Sequence, residues 1–181
     1  MFYYTKFNSP IGELTIASDE NNIIGLWIEG QKYFGSTILD KITLTEDIDI
    51  LNKTKEWLER YFRGEKPSSF ELQIKPIGGE FRQIVWKILR EIPYGKVITY
   101  GEIAKKVASI QNKEIMSAQA VGGAVGHNPI SIIIPCHRVI GVRGDLTGYA
   151  GGIEIKKRLL EFEKIKINFE ERNNDRKFIF S

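Results

Sequence analysis

The chain has 181 residues, of which 42% are hydrophobic and 11% aromatic, enough for one sizeable hydrophobic core or two small ones. Its single cysteine excludes an internal disulfide and a cysteine-based zinc cluster, and fits a reducing cytoplasm. The N-terminal residues lack the pattern of a signal peptide, and no segment approaches the roughly 20 apolar residues of a membrane span. We therefore expect a globular cytoplasmic protein that does not enter a membrane and needs no metal or cofactor.

The net charge of +3 is unevenly distributed along the chain. Residues 1–75 carry 9 basic and 12 acidic side chains, whereas the remaining residues carry 17 basic and 11 acidic ones. A basic excess confined to one half fits a polyanionic partner, and it fits solvated surface lysines equally well. Charge alone leaves both interpretations open.

The N-terminal half of the chain has the pattern of a small α+β domain. Short β-rich runs at 2–7, 14–17 and 23–28 are separated by turn-forming residues, which predicts an antiparallel sheet. Helical spacing of apolar residues predicts a helix over 50–62. The polar, proline-containing stretch at about 64–77 predicts a linker, so we expect a first domain over 1–75 and a second over 78–181.

The second half of the chain is mainly helical in pattern. A helix is predicted over 80–92, and Thr99 with Glu102 forms a capping box before another helix over 100–108. A polar stretch separates it from a short helix over 118–125. Two short helices joined by a loop, in the basic half, resemble a helix-turn-helix.

The second helix of this pair follows a favourable N-cap at Ser117 and is unusually rich in small residues. Its small residues are Ala118, Ala120, Gly122, Gly123, Ala124 and Gly126. Each glycine lowers the stability of a helix by about 1 kcal/mol, so we expect the small side chains of this helix to have a function that offsets this cost. Close approach to a nucleic acid groove and tight packing against a neighbouring helix are both compatible with the sequence.

The only cysteine follows an apolar run, 130–134, which predicts a buried strand leading to Cys136. A cysteine attacks as thiolate and needs a base or positive surroundings to ionise at neutral pH. His137 is adjacent, although neighbouring side chains of an extended segment point to opposite faces, so a turn or a bridging water would be needed. Glu163 falls beside the apolar stripe of a helix predicted over 153–164 and could orient the imidazole from a buried position.

Each of these residues also has a purely structural interpretation. A lone cysteine is most often a small buried hydrophobe, and Glu163 could be a solvated carboxylate at a helix edge. Residue types and spacing therefore predict some thiol nucleophile, or none.

A family resemblance narrows the choice. The segment Ile133-Ile134-Pro135-Cys136-His137-Arg138-Val139 resembles the signature of the O6-alkylguanine-DNA alkyltransferases, also called methylated-DNA-protein-cysteine methyltransferases. Further segments in that family's order and spacing are Phe81 to Trp86, Ile92 to Val97, Thr99-Tyr100, Ala120-Val121-Gly122, Asn128-Pro129, Leu146 to Gly152 and Leu159 to Glu163. The resemblance implies a ribonuclease-H-like α+β domain followed by a helical domain with a helix-turn-helix or winged-helix-like unit.

The resemblance also implies an activity and a site. Cys136 would take the alkyl group from O6-alkylguanine, and O4-alkylthymine as well, in duplex DNA, irreversibly and in a single turnover. His137 and Glu163 would activate the thiol through a water molecule, Asn128 would brace the strand behind it, and Tyr100 would help the guanine to leave. The substrate-binding positions implied are Tyr100, Val139, Tyr149, Ala150 and Ser131.

The same resemblance implies that the helix over 118–125 is a DNA-recognition element that enters the minor groove. The hydrogen-bonding pattern of that groove is degenerate, which suits a lesion found in any sequence. The DNA-binding positions implied are Ser117, Ala118, Gln119, Ala120, Gly122 and Gly123. One departure stands out: Gln119 occupies the place of an arginine that fills the gap left by the flipped base, so we expect weaker binding or slower flipping. We expect a monomer.

Two other functions are compatible with these residues. A lesion-binding protein without repair activity would bind alkylguanine but lack the reactive cysteine, which this chain has. A thiol hydrolase using Cys136, His137 and Glu163 would show multiple turnovers.

Overall fold

A computed structural model describes residues 1–36, 38, 41–45, 47–172 and 175–180, with the side chains described as far as residue 166. The chain forms two compact units. Residues 1–78 and 128–134 make the first, and residues 79–127 and 135–181 make the second. Our prediction of an uninterrupted second domain from residue 78 was therefore wrong for 128–134, which packs with the N-terminal unit.

The first unit is built on a four-stranded sheet in the order β3-β2-β1-β4. The strands are β1 (Phe2–Ser9), β2 (Gly12–Ser18), β3 (Ile23–Ile28) and β4 (Ile42–Leu44). The first three are antiparallel neighbours, which confirms the predicted antiparallel sheet for these strands. The short strand β4 was not predicted, and it pairs with β1 in parallel, so the complete sheet is mixed.

Helix α1 (Asp49–Phe62) packs against this sheet through buried side chains that include Leu51, Trp57 and Leu58. The segment after it was predicted to be a linker, and the structure corrects this. Ser68 caps a short 3-10 turn, Ser69–Glu71, and the Trp57 indole donates to Ser68 O at 2.9 Å. Ile74 then bridges to Ile23, so the segment belongs to the first unit because its backbone and apolar groups find partners there.

The second unit begins with the helices that the sequence predicted. Its elements are α2 (Glu80–Arg90), β5 (Ile98–Thr99), α3 (Tyr100–Ile110), α4 (Ala118–Gly126), β6 (Val139–Ile140), α5 (Ile153–Phe162) and the hairpin β7 (Ile167–Arg172) with β8 (Asp175–Phe180). Both hydrogen bonds of the Thr99–Glu102 capping box are present at the start of α3. The Trp86 indole donates to Ala124 O at 2.9 Å, which ties α2 to α4.

The apolar run before Cys136 is a turn, and our prediction of a buried strand was wrong. Only Ile130 bridges to another strand, with hydrogen bonds on either side that link Leu26 to Pro129 and Ser131. At Ile132 the backbone enters the left-handed region with φ 70°, and Ile134 N donates back to Ile130 O at 3.0 Å. Burial on all sides, rather than strand pairing, explains the unbroken apolar run.

Within the described part of the chain, no helix is long and apolar enough to cross a membrane.

Candidate active site around Cys136

Cys136 opens a single turn of 3-10 helix, Cys136–Arg138, in which Arg138 N donates to Pro135 O at 3.0 Å. Cys136 forms no disulfide, and the residue is only 4% exposed. Because the chain turns here, the objection that adjacent side chains of a strand point apart does not apply to Cys136 and His137. After the turn, β6 pairs in parallel with β5, which anchors Val139 opposite Ile98.

His137 and Glu163 form a short, buried hydrogen bond. Nε2 of His137 lies 2.6 Å from Oε1 of Glu163, and both side chains are fully buried. Glu163 directly follows α5, and Gly95 N donates to its Oε2 at 3.0 Å. The side chain of Glu163 is buried, as the sequence predicted. Glu163 follows the buried Lys156 by seven residues, a spacing that corresponds to the same face of a helix.

Arg138 is the first site residue whose role sequence reasoning missed. Its Nε lies 2.8 Å from Glu163 Oε2, its Nη2 lies 2.9 Å from Oε1, and its Nη1 donates to Ile92 O at 2.5 Å. A buried carboxylate beside a neutral imidazole needs a cation, and an arginine next to His137 was the available signal.

The charges of this group define its protonation. Burial would raise the pKa of Glu163, but His137 and Arg138 outweigh burial and hold that pKa well below its usual range. Burial lowers the pKa of His137, and the attraction of Glu163 only partly offsets this. The pair is therefore an ionised carboxylate and a neutral imidazole near neutral pH.

The neutral imidazole has a definite tautomer. The Glu163 carboxylate can only accept, so the proton of His137 lies on Nε2 and Nδ1 keeps its lone pair. Nδ1 is buried, and the described part of the chain offers it no hydrogen bond. His137 can thus accept one proton at Nδ1, the chemistry that a thiol nucleophile requires.

Tyr100 and Lys156 meet at the main-chain carbonyl of Thr147. Tyr100 Oη donates to it at 2.9 Å and Lys156 Nζ at 3.1 Å. Burial, and next the charge of Cys136, raise the pKa of Tyr100 to about 12, while burial lowers the pKa of Lys156 to about 8. Sequence reasoning found Tyr100 but missed Lys156, whose signal is its place on the buried stripe of α5, three residues before Leu159.

Strand β6 and the loop after it contain the remaining predicted substrate positions of the second unit. Val139 and Tyr149 are buried and Ala150 is half-buried. Gly148 has φ 74°, and a Cβ there would lie 3.1 Å from Tyr100 Oη, so this glycine leaves room for the phenol. What these groups contact in a substrate stays a prediction.

Asn128 and Ser131 lie in the segment that packs with the first unit. Asn128 Oδ1 accepts from Ile130 N at 3.0 Å, and its Nδ2 donates to Ile134 O at 2.8 Å, which braces the turn next to Pro135. Ser131 is buried and donates to Gln31 Oε1 at 3.2 Å. The bracing role predicted for Asn128 has a geometric basis within this segment, on a turn instead of a strand.

Helix α4 has one buried face and one exposed face. Val121, Ala124 and Val125 are buried, whereas the predicted DNA-binding residues that are exposed are Ser117, Ala118, Gln119, Ala120 and Gly123. Gly122 is half-buried beside the Tyr100 ring, and a Cβ on Gly123 would meet nothing within 4 Å. Several of the small residues therefore lie on the open side, where helix packing within the described chain does not explain them.

Among the described residues, no group of three or more metal-ligating side chains could share an ion.

The structure is that of a two-unit α+β protein with a buried cysteine next to a His137–Glu163–Arg138 cluster and a pair of short helices, α3 and α4. Two family models match it: the ribonuclease-like domain of 6-O-methylguanine DNA methyltransferase over residues 2–76, and the DNA-binding domain of the same family over residues 80–165. The methylated-DNA–protein-cysteine methyltransferase of Haemophilus influenzae is 42% identical over 90% of this chain and 87% of its own length. That of Methanosarcina acetivorans is 43% identical over 89% of this chain and 97% of its own.

Solved structures agree with these matches. The crystal structure of Mycobacterium tuberculosis OGT in complex with DNA superposes with a TM-score of 0.78 at 41% identity, covering 90% of this chain and 92% of that one. The chain belongs to the methylated-DNA–protein-cysteine methyltransferase family.

Proposed function

We propose that this protein repairs O6-alkylguanine in duplex DNA by moving the alkyl group to its own Cys136, once per molecule. The observation that carries the proposal is the buried cysteine on a tight turn, followed by a neutral histidine whose Nε2 is held by Glu163 and whose Nδ1 can accept a proton. The high identity to curated methyltransferases supports the same reaction.

The chemical step is a single displacement at carbon. His137 Nδ1 accepts the thiol proton through a water molecule, and the sulfur electron pair forms a bond to the alkyl carbon. The bond from that carbon to O6 breaks, and its electron pair stays on the guanine. Because the pKa of Tyr100 is about 12, its phenol keeps its proton, and the hydroxyl would turn from the Thr147 carbonyl to donate to the departing base. The guanine anion takes up a proton from solvent, and His137 releases to solvent the proton that it accepted from the thiol. The products are neutral guanine and a stable thioether, so the protein is consumed.

The exposed face of α4 is the proposed DNA contact. Small side chains on that face permit close approach to a minor groove, whose degenerate pattern of donors and acceptors suits a lesion found in any sequence. The damaged nucleotide would be flipped out of the stack, at a cost of a few kcal/mol that alkylation partly removes.

O4-alkylthymine is a second expected substrate. We expect the protein to act as a monomer, in the cytoplasm, where reducing conditions keep Cys136 reduced.

A duplex carrying O6-methylguanine with a radiolabelled methyl group tests the proposal. We expect the label to move to the protein up to one methyl per chain, and Cys136→Ser to abolish transfer while keeping DNA binding. Binding without transfer by the unchanged protein would make it a lesion-binding protein. Release of product over many turnovers from a small ester or amide would instead identify a thiol hydrolase.

A further inference from the structure

Arg138 and His137 are neighbours in sequence and share one carboxylate. Oε1 of Glu163 lies 2.6 Å from His137 Nε2 and 2.9 Å from Arg138 Nη2, and Oε2 lies 2.8 Å from Arg138 Nε. The guanidinium is fixed on its far side by the hydrogen bond to Ile92 O. A single buried anion therefore faces an imidazole and a permanent cation at the same time.

This sharing changes what the carboxylate does to the imidazole. An unshared carboxylate at 2.6 Å would favour imidazolium, because a protonated ring gains the full attraction of the anion. Arg138 divides that attraction among several N–H donors, and its own charge repels a second cation nearby. The direction of the His137 pKa agrees: burial lowers it most, Glu163 opposes, and Arg138 and Lys156 lower it further.

We propose that Arg138 is a positioning residue that keeps the His137 imidazole neutral and able to accept a proton, by sharing the Glu163 carboxylate with it. Without Arg138, a larger fraction of the rings would hold a proton on both nitrogens at neutral pH, and those rings could not take the proton of Cys136. The inference rests on the proposed function only for the use made of the neutral ring, since the charge state itself is measurable without DNA.

The other charged and titratable groups near the pair leave this assignment in place. Lys156 of α5 repels a proton on His137, in the same direction as Arg138. The Tyr94 ring lies 5.8 Å from the guanidinium carbon of Arg138, and its hydroxyl donates to Phe162 O at 2.8 Å. Cys136 precedes His137 on the same turn. An Arg138 substitution leaves all of these groups in the chain, so it isolates the effect of the guanidinium.

The test is an imidazole NMR titration of the whole chain. The chain has only two histidines, so His127, whose Nδ1 lies 2.7 Å from Gly123 O, serves as the internal reference. In Arg138→Met we expect the pKa of His137 to rise by about one unit or more. The acid limb of the single-turnover alkyl-transfer rate should move to higher pH by the same amount.

Two further variants make the result decisive. Adding Glu163→Gln to Arg138→Met should cancel the rise, because the carboxylate that attracts the proton is gone. Arg60→Met is the matched control, since it removes an arginine from a carboxylate pair in the first unit, Arg60 with Glu71 at 2.6 Å, and should leave His137 unchanged.

If Arg138→Met does not fold, Arg138→Lys gives the same direction with a smaller rise, because an ammonium cannot span both carboxylate oxygens and Ile92 O together. An unchanged or lower His137 pKa in either folded variant overturns the proposal, as does faster transfer at neutral pH. Failure of the methyl-transfer assay with the expected pKa shift would overturn the proposed function alone.

Discussion

Two buried cations, Arg138 and Lys156, lie near Cys136, and they differ in the groups that bind them. Arg138 has a carboxylate partner in Glu163, whereas Lys156 is fully buried and donates to the carbonyl of Thr147. A carbonyl satisfies one N–H but does not neutralise the charge, so burial of Lys156 favours its neutral form. The two residues therefore make different contributions to stability.

Lys156 should make the protein more stable as the pH rises above 8. Its pKa is about 8 in the folded chain against 10.5 for a free lysine, so the unfolded chain binds more protons between these values, and the free energy of unfolding rises across that window. The shift corresponds to a cost on the order of 3 kcal/mol at pH 7. Lys156→Met should remove both this cost and the rise.

Urea unfolding of the unchanged chain and of Lys156→Met, at pH 7 and at pH 10, measures the effect. Lys157→Met is the control, because its side chain follows on the same helix and is only partly buried. A difference between the unchanged chain and the Lys156 variant that stays constant with pH would contradict the argument.

At the scale of elements, α4 sets local helix stability against its exposed face. Gly123 lies within the helix, and a Cβ there meets nothing within 4 Å. Gly123→Ala should therefore raise the free energy of unfolding by up to about 1 kcal/mol. If the open face lies against DNA, the added methyl should weaken duplex binding several-fold, while reaction with free O6-alkylguanine base stays unchanged. Increased stability with unaltered DNA affinity would remove this face from the interface.

Gln119 stands on the same exposed face and makes a separate prediction. A guanidinium stacks on bases and attracts phosphates, whereas an amide does neither well. Gln119→Arg should bind damaged duplex more tightly and transfer the methyl group faster, with a steeper dependence on salt. Gln119→Lys separates charge from stacking in the same fluorescence-anisotropy and quench-flow measurements. Equal affinities and rates for all three proteins would show that this position does not enter the DNA.

The elements themselves show what the sequence could predict. Thr99 and Glu102 correctly predicted the start of α3, because a capping box depends only on residues that are close in sequence. The run 130–134 was misread, because five consecutive apolar residues have no period that separates a buried strand from a buried turn. Arg138 and Lys156 were missed as site residues since the burial of a charge depends on partners far away in the chain.

For the whole molecule, charge predicts how DNA affinity varies with salt. The 17 basic and 11 acidic side chains after residue 75 leave this part of the chain positive, although 1–75 is negative. If three cations contact phosphates, affinity for duplex should fall about 40-fold between 50 and 200 mM salt. Titration of a labelled duplex measures this, with the reaction of free O6-alkylguanine base as the salt-insensitive control. An affinity independent of salt would mean that the basic excess serves only solubility.

The hydrogen bonds of Leu26 to Pro129 and Ser131 have a consequence for synthesis on the ribosome. The first unit includes residues 128–134, so a nascent chain that has released only 1–78 still lacks the partners of Leu26. That unit cannot complete its backbone pairing until α2, α3 and α4 have also emerged. The last N-terminal contacts and the turn before Cys136 therefore form together, and a chain truncated before residue 128 would leave the N-terminal unit incomplete.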